Sequence, residues 1–259
     1  MTESSSRPFE ACSHIIFPEG TFLYMNDDYA VQAYRTQQIS FVAQPIGNEE
    51  MNRNCNVVPV PLMMTDEWNI IKDDPLIINR LREIPKIHDF CFIGQTHYVG
   101  REVFKSISTD GTMNGYSYLF RENNNGIYGL SPEEKRKELI KFLEEIAACR
   151  FVFCPRGIGS SSFRLYQSLM VGSIPIITGM EDYPFKDKIN WDHISIRGQL
   201  ESLPQLIRYA KDMIREEPGT DTFQYNNARS KGMLFWDLYC RHDSLYEALR
   251  NIVKEKLNA

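Results

Sequence analysis

Two arginines and a group of serines follow a short apolar run in the C-terminal half of the chain. The run covers residues 151–154, and it leads into two glycines and the polar side chains of Arg156, Ser160, Ser161, Ser162 and Arg164. Glycines allow the main chain to approach a ligand closely, and guanidinium groups form paired hydrogen bonds with phosphate oxygens. The segment therefore predicts a binding site for a phosphate-bearing ligand.

The elements around this segment form a strand, a loop, a helix and a second strand. Residues 151–154 are typical of a strand covered on both faces, residues 163–171 of a helix, and residues 174–177 of another buried strand. This βαβ pattern predicts a parallel sheet, and such sheets bind ligands beyond the carboxyl ends of their strands. Because Gln167 shares a helix face with Arg164, we expect a diphosphate at the loop and a ribose near Gln167.

Simpler interpretations of the same residues stay open at this point. Glycine-rich turns follow strands in many α/β proteins, and an arginine at a helix start is often only solvated. The GxxxxGK[ST] motif of P-loop enzymes is absent, and serines follow Gly159 where a dinucleotide-binding loop has its third glycine.

Other segments predict an α/β pattern along most of the chain. Ser131, Pro132 and Glu134 predict the capped start of a helix. The remaining predicted strands cover residues 14–17, 39–43, 57–60, 90–93, 116–120 and 194–196. The remaining predicted helices cover residues 29–35, 101–107, 203–214, 226–239 and 245–257, and a turn is expected at residues 123–126.

Composition restricts the class of protein. The 259 residues carry a formal net charge of -5, so no general positive field attracts nucleic acid or an anionic membrane. We expect no signal peptide and no membrane span, because no apolar stretch is long enough. The six cysteines form no CxxC pair and are expected to be reduced thiols. These features predict a soluble cytoplasmic protein.

Residues 153–177, FCPRGIGSSSFRLYQSLMVGSIPII, resemble the signature of the exostosin family, glycosyltransferase family 47. The likeness extends upstream to residues 90–94, Arg101 and residues 57–61, and covers roughly residues 56–206. The resemblance implies an α/β GT-B fold, in which two Rossmann-like domains face each other across a cleft. It also implies inverting transfer of a sugar from a UDP-sugar to a hydroxyl of an oligosaccharide or glycoprotein glycan.

The same resemblance implies roles for individual residues. Arg156 and Arg164 would bind the diphosphate, and Ser161 and Ser162 would donate hydrogen bonds from the helix start. The other side of the phosphates would be lined by Gly94, Thr96, Arg101 and, as a further candidate, His97. Arginines and a helix dipole can offset the charge of the leaving group, so neither a metal nor a cofactor is expected.

The sequence departs from the family pattern in two places. Gln167 stands where the family has a glutamate that is expected to hold the ribose hydroxyls. The N-terminal half is also short. We expect a disordered tail at residues 1–8, a reduced acceptor-side domain at residues 9–85 and a nucleotide-sugar-binding domain at residues 86–259. The final helices are expected to pack back onto the N-terminal domain.

The catalytic base stays open. In a GT-B enzyme it should come from the N-terminal half, where the candidates are His14, Glu19, Asp27, Asp28 and Asp66. The donors that the family uses carry xylose, galactose, glucuronic acid or arabinose, with a slight preference here for xylose. Two rival functions stay open, namely a non-catalytic module that binds a nucleotide-sugar or a glycan, and a sulfotransferase.

Overall fold

The computed structural model of the chain describes residues 12–18, 20–25, 40–42, 57–62, 64–97, 100–123, 129–157, 161–180, 183–214 and 221–258. Within these residues the strands form two sheets. The first sheet has the order β1-β2-β3-β4, with β1 at Cys12–Phe17, β2 at Gly20–Met25, β3 at Ser40–Val42 and β4 at Val57–Pro59. The pair β1–β2 is antiparallel, and β2, β3 and β4 are parallel.

The second sheet is entirely parallel and has the order β6-β5-β7-β8-β9. Its strands are β5 at His88–Gly94, β6 at Tyr118–Glu122, β7 at Cys149–Pro155, β8 at Ile174–Thr178 and β9 at Ile196–Gly198. Because the first strand of this sheet lies between the second and the third, the connections leave in opposite directions from β5 and β7. This is the switch point at which open α/β sheets bind ligands.

Helices cover both faces of the second sheet. They are α1 at Thr65–Asp73, α2 at Ile77–Glu83, α3 at Val103–Ser106, α4 at Pro132–Ala147, α5 at Phe163–Val171, α6 at Leu203–Asp212, α7 at Phe223–Phe235 and α8 at His242–Leu257. Alternate residues of the strands point to opposite faces. One face packs its phenylalanines on α3, α6 and α7, and the other packs Cys91, Val152 and Cys154 on α1, α2, α4, α5 and α8.

Helices α1 and α2 precede the predicted boundary at residue 85, yet they share one core with α4 and α5. Trp68 on α1 stacks on Trp236, with 6.0 Å between ring centroids. Arg82 on α2 forms an ion pair with Asp237 at 2.9 Å and donates to the carbonyl of Met170. These contacts tie α1 and α2 to the helices on one face of the second sheet.

Most of the predicted elements are confirmed, with shifts at their ends. The predicted strand at residues 194–196 lies at Ile196–Gly198, and the helix predicted from residue 226 begins at Phe223, where Thr222 accepts a hydrogen bond from the N–H of Tyr225 at 3.1 Å. The capping box before α4 is confirmed, since Ser131 and Glu134 exchange side-chain and main-chain hydrogen bonds. Strand β2 and helices α1 and α2 were not predicted. The helix predicted at residues 29–35, the expected tail and most of the predicted turn at residues 123–126 lie outside the described residues.

No helix in the described ranges is both long enough and apolar enough to cross a membrane.

Candidate functional site

The predicted phosphate-binding segment lies at the switch point of the second sheet. Gly94 ends β5 and Pro155 ends the neighbouring strand β7, so the loops that follow them leave from the same edge. The main-chain N–H of Arg156 donates to the carbonyl of Thr178 at 3.0 Å, and that of Gly157 donates to the carbonyl of Ser161 at 3.0 Å. The hydrogen bond between Gly157 and Ser161 joins the two ends of the loop just before α5 begins.

Arg164 places a guanidinium group at this edge, and no carboxylate among the described residues forms an ion pair with it. Its Nη1 donates to the carbonyl of Phe153 at 3.3 Å, and its Cζ lies 4.9 Å from the centre of the Phe92 ring. Its Nε is enclosed and has no hydrogen-bond partner. Burial lowers the pKa of Arg164, and the neighbouring groups that raise it are thiols and a phenol. A partly enclosed cation without an acidic partner can bind an anionic ligand strongly.

Because Gly94 has no side chain, the guanidinium group of Arg164 can lie directly against it. A Cβ on Gly94 would overlap Nη2 of Arg164 and would lie 3.2 Å from its Cζ. A side chain at position 94 would therefore displace the guanidinium. The glycine predicted at the end of β5 thus contributes to the site by its lack of a side chain.

Arg156 is the exposed arginine of the loop. Its stem lies against Gly179, where a Cβ would be 3.1 Å from Cδ of Arg156. Gly179 also has a φ of +77°, a conformation that favours glycine. No acidic residue in the described part of the chain forms an ion pair with Arg156.

Arg101 is buried and joins the two loops. Its Nη2 donates to the carbonyl of Arg156 at 2.6 Å and to that of Pro155 at 3.4 Å, and its Nη1 donates to the carbonyl of Gln95 at 3.4 Å. The side chain holds the ends of β5 and β7 in a fixed relation. Its predicted contact with the phosphates stays a prediction.

Thr96 is also buried, and its Oγ1 donates to Oε1 of Glu122 at the end of β6. His97, the further candidate on this loop, is exposed. At the start of α5, Ser161 is buried with its Oγ 3.4 Å from the Tyr166 hydroxyl, whereas Ser162 occupies the N-cap position without a capping hydrogen bond from its side chain. The first N–H groups of α5 are therefore not capped by Ser162.

Gln167 is 8% exposed and contacts an acidic residue from the first half of the chain. Its Nε2 donates to Oε1 of Glu67, which lies in the first turn of α1 and is 5% exposed. Burial raises the pKa of Glu67, and the hydrogen bond from Gln167 acts in the opposite direction. The partner of Glu67, Gln167, lies three residues beyond Arg164 on α5.

Glu67 was not among the predicted bases, whereas its exposed neighbour Asp66 was. A signal was present, because Glu67 precedes Ile70 and Ile71 at the helical spacing of a buried face. The other candidate bases stay predictions: Glu19, Asp27 and Asp28 lie outside the described residues, and His14 lies within β1.

The Exostosin GT47 domain family model matches residues 116–213. This part of the chain is similar to an exostosin GT47 domain. The protein described as "Probable glycosyltransferase At3g07620" from Arabidopsis thaliana is 29% identical over 79 residues. That similarity covers 30% of this chain and 17% of the Arabidopsis protein, so the chain matches less than a fifth of its relative. The matched residues include the loop after β7, α5 and β8.

The crystal structure of a glycosyltransferase from Rickettsia africae ESF-5 is similar over most of this chain. The TM-score is 0.50 at 10% identity, over 89% of this chain and 68% of that one. At this identity the similarity concerns the fold alone. The predicted α/β, GT-B-like fold is confirmed.

Proposed function

We propose that this chain is a glycosyltransferase that transfers a sugar from a UDP-sugar to a hydroxyl of a glycan acceptor. The observation that carries the proposal is the Arg164 guanidinium. It forms no ion pair with an acidic residue in the described ranges, and it lies at the switch point within the residues that match the exostosin GT47 domain. A diphosphate is the part of the donor that such a cation would bind.

The transfer breaks the bond between the anomeric carbon and the diphosphate while the acceptor oxygen forms a new bond to the same carbon. A base takes the acceptor proton, and attack from the side opposite the leaving group inverts the configuration. Negative charge grows on the diphosphate as it leaves. Arg156 and Arg164 would stabilise that charge, together with the N–H groups at the start of α5.

We propose a metal-independent reaction because two guanidinium groups and a helix start can offset the charge of the leaving diphosphate. We also propose that the base belongs to the part of the chain before residue 85, which faces the donor site across the cleft of a GT-B fold. The donor sugar would be xylose, galactose, glucuronic acid or arabinose, with a slight preference for xylose. The acceptor would be an oligosaccharide or a glycoprotein glycan.

One observation favours a second candidate, a non-catalytic module that binds a nucleotide-sugar or a glycan. The side chain of Gln167, which replaces the glutamate of the family pattern, already has a protein partner in Glu67. A site with this substitution could bind a donor and not turn it over.

The deciding experiment measures UDP release from a panel of UDP-sugars, with and without EDTA, together with the dissociation constant of UDP. Selective turnover of one donor that EDTA does not change is the expected result. Binding of UDP without turnover of any donor would favour the non-catalytic module. If the protein does not bind UDP, the proposed function is wrong.

A variant pair locates the activity at the proposed site. Arg156→Met should weaken UDP binding, because it removes one exposed guanidinium from the loop. Arg208→Met removes a positive charge from α6, which covers the phenylalanine-rich face of the second sheet, and serves as the matched control. If both variants weaken binding equally, a general loss of positive charge explains the effect and the site is misplaced.

A further inference from the structure

Lys86 lies in the short connection between α2 and β5. The residue as a whole is half-buried, but its amino group is enclosed by the protein. Its Nζ donates to the carbonyl of Ala147 at 2.7 Å and to Oγ of Ser173 at 2.9 Å. Ala147 is the last residue of α4, and Ser173 directly precedes β8. One side chain therefore joins the connection before β5 to two other elements of the second half of the chain.

The hydrogen bonds of Lys86 match those of an uncharged amine. A charged ammonium group has three N–H donors, whereas an uncharged amine has two. Among the described residues, two groups accept a hydrogen bond from Nζ. The hydroxyl of Ser173 does not donate in return, because its proton faces the carbonyls of Ile146 and Cys149 at 2.7 and 2.8 Å. A third N–H on Nζ would be enclosed without a partner, which is unfavourable.

The charges around Lys86 favour the uncharged form as well. No acidic residue in the described ranges forms an ion pair with it. Burial and the nearby Arg229 lower the pKa of Lys86 to about 7. The groups that act in the opposite direction are Cys149, Cys91 and Asp221. The carbonyls at the end of α4 also attract a positive charge, but burial outweighs them.

Two main-chain hydrogen bonds follow directly after this lysine. The N–H groups of Ile87 and His88 both donate to the carbonyl of Ala148, at 2.9 and 3.0 Å. They join the start of β5 to the end of α4, as the amino group of Lys86 does. If that amino group moves out to solvent, the two bonds lose a neighbouring support and should open more often.

We propose that Lys86 is uncharged in the folded protein near neutral pH, and that its protonation loosens the contact of residues 86–88 with the end of α4 and the start of β8. The contact is then a pH-sensitive switch at the amino end of β5. It does not depend on the proposed transferase activity, because none of its groups belongs to the proposed donor site.

The direction of the effect follows from the protons that each state binds. An unfolded chain keeps its lysines charged up to about pH 10.4. Between about pH 7 and that value, the unfolded state binds one proton more than the folded state at Lys86. The contribution of Lys86 to stability therefore rises with pH through this range and is least favourable below pH 7.

The first test titrates the lysine side chains of the full chain by carbon-13 NMR, with Lys86→Met to identify the signal of Lys86. That signal should change with a midpoint near pH 7. A midpoint above about pH 9 would overturn the proposal, because Lys86 would then be charged at neutral pH like a solvated lysine.

The second test measures hydrogen-exchange protection factors for the amides of Ile87 and His88 at pH 6 and pH 8.5. In the wild-type protein they should be about tenfold lower at pH 6, the effect expected when one buried hydrogen-bonding group loses its partner. Lys86→Met carries no charge at either pH, so its protection factors should not change between them. Lys141→Met removes an exposed lysine of α4 and should behave like the wild-type protein.

Lys86→Arg keeps the proposal testable if Lys86→Met does not fold. An arginine stays charged at both pH values, so the two amides should have the low protection of the wild-type protein at pH 6 throughout. Protection factors in the wild-type protein that are equal at pH 6 and pH 8.5 would show that protonation of Lys86 does not loosen the contact, and the proposed switch would be wrong.

Discussion

Nη2 of Arg164 occupies the space into which a side chain on Gly94 would project. The two residues come from different elements, since Gly94 ends β5 and Arg164 lies in the first turn of α5. Their fit places a guanidinium group at the edge where the two central strands of the parallel sheet end. The relation makes position 94 as important for the proposed donor site as the arginine itself.

Gly94→Ala should weaken UDP binding by about tenfold or more, because the new methyl group displaces the guanidinium that would bind the diphosphate. Overpacking should also lower the free energy of unfolding by about 1–3 kcal/mol. Calorimetry with UDP and chemical denaturation measure the two effects.

Gly115→Ala separates the clash from a general loss of stability. Gly115 has a φ of +80°, but a Cβ there would meet nothing within 4 Å. This variant should lose stability through backbone strain and keep its affinity for UDP. Equal affinities in the two alanine variants would mean that Arg164 does not bind the nucleotide.

Arg164→Met should have opposite effects on binding and on stability. Methionine can pack on the Phe92 ring, and it removes a partly enclosed charge for which the described residues provide no acidic partner. The free energy of unfolding should therefore stay the same or rise by up to about 2 kcal/mol, while the affinity for UDP falls at least about tenfold. Thermal and chemical unfolding without ligand, followed by a UDP titration, give both values. A clear loss of stability would show that the charge is balanced in the free protein.

Arg101 and Arg156 should respond differently to the same substitution. Arg101→Met leaves the carbonyls of Gln95, Pro155 and Arg156 without their donor, so the free energy of unfolding should fall by about 1–3 kcal/mol. Arg156→Met should change it by less than about 0.5 kcal/mol, since its guanidinium is exposed.

UDP titrations complete this comparison. Arg156→Met should lose most of its affinity for UDP at every temperature at which it is folded. Arg101→Met should lose affinity chiefly because the two loops are no longer held together. If Arg156→Met binds UDP like the wild-type protein, the loop after β7 is not the diphosphate site.

The second sheet could be predicted from the sequence because each of its central strands is an apolar run followed by a turn residue. Residues 90–93 and 151–154 are such runs, and both strands are buried from both faces. Helices α1 and α2 were not predicted, and their apolar residues belong to a core shared with distant helices. The role of Arg101 as a link between loops also depends on tertiary contacts that leave no local pattern.

The contact between Gln167 and Glu67 gives Gln167→Glu a pH-dependent effect on stability. Two carboxylates would then share a buried place, and one of them would stay protonated in the folded state. From the sequence alone, Gln167→Glu is expected to keep or tighten UDP binding, because it restores the glutamate of the family pattern. In the folded structure, however, the second buried carboxylate should also lower the free energy of unfolding of this variant.

The sign of the effect follows from which state binds more protons. The pKa of the carboxyl pair is raised in the folded state, so the folded state holds more protons than the unfolded state above about pH 4.3. The stability of Gln167→Glu should therefore be greatest below that pH and fall as the pH rises, by about 1.4 kcal/mol for each unit by which the pKa is raised. Glu67 in the wild-type protein contributes a smaller slope of the same sign.

Chemical denaturation between pH 4.5 and pH 8 measures these slopes, and the exchanged double variant is the control. Glu67→Gln combined with Gln167→Glu again has one carboxylate and one amide, so its slope should return to about the wild-type value. A slope for Gln167→Glu equal to that of the wild-type protein would show that the two side chains do not share one environment.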